Sequence, residues 1–140
     1  MELIHIKVLN TAIERILNKE LAEYDITYTQ ATVIGYLKHH PEQDICQKDI
    51  EINLGLTHPT VSSILSRMEE KNMIETRNMA SDRRYKYIDL TEKAMNISDE
   101  IHTVIQKITA ELFAGVSKEE QQVFSNVLKT LISQVDKKTD

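Results

Sequence analysis

The chain of 140 residues has a single cysteine, Cys46. One thiol cannot build an internal disulfide framework, and its scarcity fits a reducing compartment. No apolar run approaches the roughly 20 residues needed to cross a bilayer. The opening Met-Glu-Leu-Ile-His-Ile-Lys lacks a basic region followed by a leader-like apolar stretch. No export signal and no membrane partner are therefore expected, and the expected location is cytoplasmic. The frames of common enzymes are also missing: there is no glycine-rich phosphate loop, no Gly-x-Ser-x-Gly, and no carboxylate pair in a recognisable frame. The sequence thus reads as a non-enzyme without a cofactor. No repeat, low-complexity tract or flexible linker divides it, so one domain over 1–140 is expected.

Excess basic charge is missing too. The net charge is −5, with 41% hydrophobic and 28% charged residues. That composition is globular, and at first sight it argues against nucleic acid. The distribution matters more. Between Thr57 and Leu90, six basic side chains (Arg67, Lys71, Arg77, Arg83, Arg84, Lys86) face five acidic ones, so this segment is +1 and the remainder is −6. An acidic frame discourages non-specific binding and leaves local arginines to decide contact.

The stretch from Gly55 to Thr91 organises the rest. Thr57 is placed to act as a helix N-cap, its hydroxyl accepting from a free amide, and Pro59 falls in the first turn, where its missing N–H costs nothing. Val61, Ile64, Leu65 and Met68 repeat at three and four and share a buried face. Thr60, Ser62, Ser63, Ser66 and Arg67 fall off that face, and Lys71 and Asn72 close the helix. A small, hydroxyl-rich helix face fits a DNA major groove. Strands follow at 73–77 and 84–90, with Asp82-Arg83-Arg84 at the connection, where arginine can reach a minor groove.

The order is a Gly-Leu-x-x-x-Thr-Val-Ser helix, an Ile-x-x-Arg strand, an Asp-x-Arg tip and a Leu-Thr-Glu-Lys exit. It resembles the MarR/SlyA family of bacterial transcriptional regulators. The resemblance implies a mainly α fold with a two-stranded β-wing: a winged helix-turn-helix over 27–90, flanked by dimerisation helices at 1–23 and 91–140. It further implies a homodimer on a pseudo-palindromic double-stranded operator, acting as a repressor. By the same comparison Thr60, Ser62, Ser63 and Arg67 face bases or phosphates, with Ser66 and Arg77 also assigned to the DNA-binding set. Arg84 enters the minor groove with Asp82 holding its guanidinium, and Arg83 and Lys86 add phosphate contacts. Gln47 and Thr57 are backbone anchors at helix starts. The chain departs from the family in carrying Asn72 and Ala94 where glycine is usual.

The flanking segments read as helices. The first, 3 to about 23, has an apolar stripe of Ile6, Leu9, Ile13, Ile16 and Leu17. Thr27 and Gln30 stand at capping-box spacing and open a helix running to about His40. Cys46 to Leu54 forms a third helix, buried through Ile50 and Leu54 and ended by Gly55. After Thr91 a long helix turns Met95, Ile97, Ile101, Val104, Ile105, Ile108 and Leu112 inward, until Gly115 breaks it. Ser117 and Glu120 form a second capping box. The last helix carries two apolar rows, Val123-Val127-Leu131-Val135 and Phe124-Leu128-Ile132, a face wider than one neighbour needs. A second copy of the chain is the expected cover.

Three constellations leave alternatives open. Histidines 5, 39, 40, 58 and 102 show no close ligand spacing, so no metal site is assigned, though zinc-sensing relatives build sites from distant residues. Cys46, near a helix start, is a candidate redox residue; oxidant-sensing relatives keep theirs in the first helix, where this chain has none. Tyr24, Tyr28 and Tyr36 gather around the second helix, where relatives bind small aromatic or phenolic effectors. Rival readings are a metal- or redox-responsive regulator of the same fold and a winged-helix protein-interaction module.

Overall fold

The computed structural model describes residues 2–78 and 86–139. Six helices and one two-stranded sheet follow in the order α1 (Leu3–Leu21), α2 (Tyr28–His39), α3 (Gln47–Leu54), α4 (His58–Glu70), β1 (Ile74–Asn78), β2 (Lys86–Leu90), α5 (Glu92–Leu112) and α6 (Lys118–Thr139). This is the mainly α winged-helix architecture expected from the sequence. The chain divides into two compact units, Met1–Ile105 and Gln106–Asp140.

Local chemistry fixes the element boundaries in the first unit. After α1 a single 3-10 turn at Ala22–Tyr24 leads to Asp25, left-handed at φ 57°. The expected capping box forms: Gln30 N–H donates to Thr27 Oγ1 and Thr27 N–H to Gln30 Oε1, both at 3.1 Å. Two of the helix's orphan donors are thereby satisfied. Gly55, at φ 65°, ends α3 with its N–H on the carbonyls of Glu51 and Ile52. The strands pair antiparallel, Ile74 opposite Leu90 and Asn78 opposite Lys86. The core between them and α1–α5 includes Leu21, Val33, Ile34, Ile50, Val61, Met68, Met73 and Ile74, all essentially fully buried.

Three local expectations change. Thr57 holds the N-cap position of α4, but its hydroxyl caps no amide; it pairs with the Thr60 hydroxyl at 2.9 Å. Met95 and Leu112 are not inward: they are 52% and 42% exposed, and Ala94, Ser98 and Ile101 take the buried positions of α5. The apolar pattern alone favoured the larger residue one position on from Ala94. Finally, Cys46 begins no helical turn of its own. It caps α3 in extended conformation and forms a one-residue bridge to Tyr87, while Ile88 N–H donates to Ile45 O at 2.8 Å. The loop before α3 is therefore a short third edge of the wing.

In the second unit α5 ends at Leu112 and a turn follows to Gly115, left-handed at φ 86°. The Ser117–Glu120 capping box forms, at 3.0 and 3.1 Å, and opens α6. Phe113 and Phe124 meet edge to face at 6.1 Å between centroids.

Candidate nucleic-acid interface

The helix-turn-helix corner is built from α3 and α4. Val61, Leu65 and Met68 fix α4 by burying one face, and Thr60, Ser63, Ser66 and Arg67 stand exposed on the other. Ser62 lies between these faces, half-buried, and accepts from Gln47 Nε2 at 2.8 Å. Gln47 also donates to the His58 carbonyl at 3.3 Å. His58 Nδ1 in turn sits 2.8 Å from Glu51 Oε2 and 3.1 Å from Gln47 Nε2. Gln47, Ser62, His58 and Glu51 thus form one polar cluster across the turn. In the sequence the only signal of this cluster is the seven-residue separation of Glu51 and His58 across the Gly55 turn.

The far end of α4 is anchored more heavily. Asn72 adopts the left-handed conformation at φ 62°. Its N–H donates to Glu69 O at 3.0 Å and Met73 N–H to Met68 O at 2.9 Å, which is the Schellman arrangement that closes a helix. Lys71 Nζ reaches Asp25 O at 2.7 Å and Gln30 Oε1 at 3.2 Å. Thr91 Oγ1 donates to Asn72 O at 2.8 Å, and Lys93 Nζ to Lys71 O at 2.8 Å.

At the base of the wing Arg77 is engaged within the protein. Its Nε donates to Asp89 at 2.8 Å, its terminal nitrogen to Asp44 at 2.6 Å, and its guanidinium lies 4.6 Å from the Tyr87 ring centre. The hydrogen bonds it donates to Asp89 and then to Asp44 push its already high pKa further up. Arg77 is thus a clamp joining β1, β2 and the loop before α3. Lys86 is exposed at the start of β2. Asp82, Arg83 and Arg84 lie outside the described residues.

The remaining candidates separate. Cys46 Sγ donates to Asp49 Oδ2 at 3.2 Å, so its thiol serves as a cap hydrogen bond. The Tyr36 ring packs against that of His40 at a tilt of 44°, with centroids 4.5 Å apart. The Tyr28 N–H donates to Asn18 Oδ1 at 2.7 Å. Tyr24 has its phenol pKa raised, by burial first and then by Glu23 and Glu100. A cleft of about 150 Å³ does lie between α2 and α5, at Gly35, Ser98 and Ile105, but none of the three tyrosines lines it. Across it Lys38 bonds Asp99 at 2.6 Å and holds that carboxyl below its usual range. Among the described residues no group of three or more His, Cys, Asp or Glu could hold a metal ion, and no helix is long and apolar enough to cross a membrane.

These elements resemble those of known proteins. The profile of the MarR family matches residues 24–84. Among solved structures, the Staphylococcus aureus MepR–DNA complex is 25% identical, with a TM-score of 0.87 over 96% of this chain and 98% of MepR. The transcription regulator MarR from Oenococcus oeni is 26% identical, with a TM-score of 0.75 over 91% of this chain and 96% of its own. A mutant of MarR from E. coli, solved with operator DNA, is 23% identical and shares the fold, with a TM-score of 0.80 over 90% of this chain and 89% of its own. Residues 24–84 match the profile of the MarR family, and over nearly its whole length the chain shares the winged helix-turn-helix fold of the solved regulators MepR and MarR.

Proposed function

We propose that this protein is a DNA-binding transcription regulator, a repressor that acts as a homodimer on a pseudo-palindromic duplex and is released by a small effector. One observation carries the reading: the polar face of α4. A helix held by Val61, Leu65 and Met68 presents Thr60, Ser63, Ser66 and Arg67 outward, with no bulky side chain to block a groove. Its start is keyed to α3 through Gln47 and Ser62, and its end is tied to α5, so the face is rigidly presented. MepR and the E. coli MarR mutant were both solved on DNA, which supports the same partner here.

The wing contributes the second contact, with Arg84 in the minor groove beside Asp82, and Arg83 and Lys86 on phosphates. Arg77 is better read as the support of that wing. Two carboxylates bracket its guanidinium, and a phosphate would have to displace one of them. The homodimer is supported by exposed apolar side chains on α1 (Leu3, Val8, Leu9, Ile16) and, separately, by the two rows of α6. These helices flank the reading head in sequence, as the dimerisation segments 1–23 and 91–140 require.

The test is a selection of duplexes from a random-sequence pool by the purified protein. A recovered consensus with two inverted half-sites about one helical turn apart supports the reading. Arg84→Ala is expected to weaken binding to that duplex by roughly 1–3 kcal/mol. Recovery of no sequence above background would remove the DNA-binding assignment.

A further inference from the structure

The loop between α2 and α3 carries an acid that a DNA-binding surface does not by itself explain. Asp44 lies just before the Cys46 cap of α3, and its side chain is 59% exposed. Its Oδ1 accepts from a terminal nitrogen of Arg77 at 2.6 Å, while Asp89 Oδ2 accepts from Arg77 Nε at 2.8 Å. One guanidinium thus joins three segments: the loop before α3, β1 and β2. The residues after Asp44 continue the same seam. Ile88 N–H donates to Ile45 O at 2.8 Å, and Cys46 bridges Tyr87, whose ring lies 4.6 Å from the Arg77 guanidinium. The wing is therefore fastened along one line to the chain that enters the helix-turn-helix, and Asp44 supplies a charged bond on the helix side of that line.

We propose that Asp44 is a positioning residue for DNA recognition. Through Arg77 it sets the wing against the α3–α4 corner, so that the contact of α4 and the contact of the wing tip fall at a fixed separation on the duplex. The proposal rests on the reading that α4 and the wing both meet DNA. Its content lies in a sign. A carboxylate beside the duplex repels phosphates. If charge alone counts, neutralising Asp44 raises affinity for any duplex, and raises it further if Arg77 is freed to reach a phosphate. If Asp44 positions the wing, the same change weakens specific binding, because a loosened wing has more freedom to lose when it docks. A lone exposed pair holds a side chain weakly. Here Asp89 grips the same guanidinium, and two backbone links lie beside it, so the pair works within a network rather than alone.

The experiment selects duplexes from a random pool with the parent and with Asp44→Asn. It then titrates the parental consensus and a scrambled duplex at fixed salt, with Asp44→Glu and Glu42→Gln alongside, after circular dichroism has verified the fold of each. Glu42 is an exposed acid of the same loop, so Glu42→Gln makes the same change of charge outside the Arg77 clamp. Asp44→Asn is expected to bind the consensus about three- to fivefold more weakly than the parent. Its affinity for scrambled duplex should stay equal or rise, since that binding follows charge. Its recovered consensus should keep the major-groove block under α4 and lose the preference at the neighbouring minor-groove positions under the wing. Asp44→Glu retains the carboxylate and should recover most of the affinity, and Glu42→Gln should lose none. An Asp44→Asn protein that binds the consensus as tightly as the parent, or tighter, overturns the positioning role and leaves the DNA-binding reading standing. An equal loss in Glu42→Gln, or on scrambled duplex, overturns it as well. A parent that recovers no consensus overturns the DNA-binding reading, and the positioning role with it.

Discussion

Asn72 illustrates how one residue sets the geometry of a neighbourhood. The family usually has glycine there, and the left-handed φ of 62° gives the reason. Asparagine tolerates that region better than other side chains but less well than glycine. Asn72→Gly is therefore expected to leave urea stability unchanged or raise it by up to about 1 kcal/mol, whereas Asn72→Val should lose about 1–2 kcal/mol. A loss in the glycine variant would contradict the conformational argument. Arg77 makes a different case. Its type and position marked it as a DNA contact, and only the fold brings Asp44, Asp89 and Tyr87 around it. Asp44 stands 33 residues away in sequence, beyond any local pattern. Arg77→Ala should lower the melting temperature modestly, and added salt should narrow the gap between parent and variant, since the ion pairs it removes are exposed and screened. A gap insensitive to salt would mean that the residue acts through packing alone.

Among the elements, helices with strong end signals were the most legible. Thr27 with Gln30, Ser117 with Glu120, Gly55 and Gly115 all stand where capping chemistry put them. Such signals are local, so they survive any tertiary arrangement. The face of α5 was less legible. Its pattern offered Met95 as an inward residue, and the fold buries Ala94 and Ser98 instead, two small side chains that carry little apolar signal. The third wing edge at Ile45–Cys46 was illegible, since two residues in extended form leave no period to read. The recognition helix was readable in its buried side but not in its polar cluster, which depends on how α3 turns into α4. Its exposed face carries the sharpest element-level prediction. Ser63→Glu should leave the helical circular dichroism intact and weaken binding to the selected duplex by at least tenfold, as a carboxylate would then face phosphates and acceptor-rich base edges. Unchanged affinity would place α4 outside the groove.

At the scale of the whole molecule the unresolved balance is apolar. Leu3, Ile4 and Val8 on α1 and Val123, Val127, Leu131 and Ile132 on α6 remain exposed, some by more than half their surface. The proposed homodimer would cover such rows, which exceed the scattered apolar contacts of an ordinary surface. Sedimentation of the parent at micromolar concentration is expected to give a dimer. Leu131→Glu places a carboxylate in the proposed interface at a cost of several kcal/mol and should yield monomer or unfolded chain. A parent that sediments as a monomer would remove the homodimer from the proposal.

The close of α4 has a consequence for how the protein opens as well as for how it is shaped. Residues 71–73 exchange hydrogen bonds with Asp25, Gln30, Met68, Thr91 and Lys93, so helix end, strand start and the first turn of α5 share one set of donors and acceptors. None of these segments can separate without exposing the others' partners. In deuterium exchange the amides of Asn72, Met73, Thr91 and Ala94 should therefore be released as a single cooperative group, with a common opening free energy, while the exposed first turn of α4 exchanges independently and sooner.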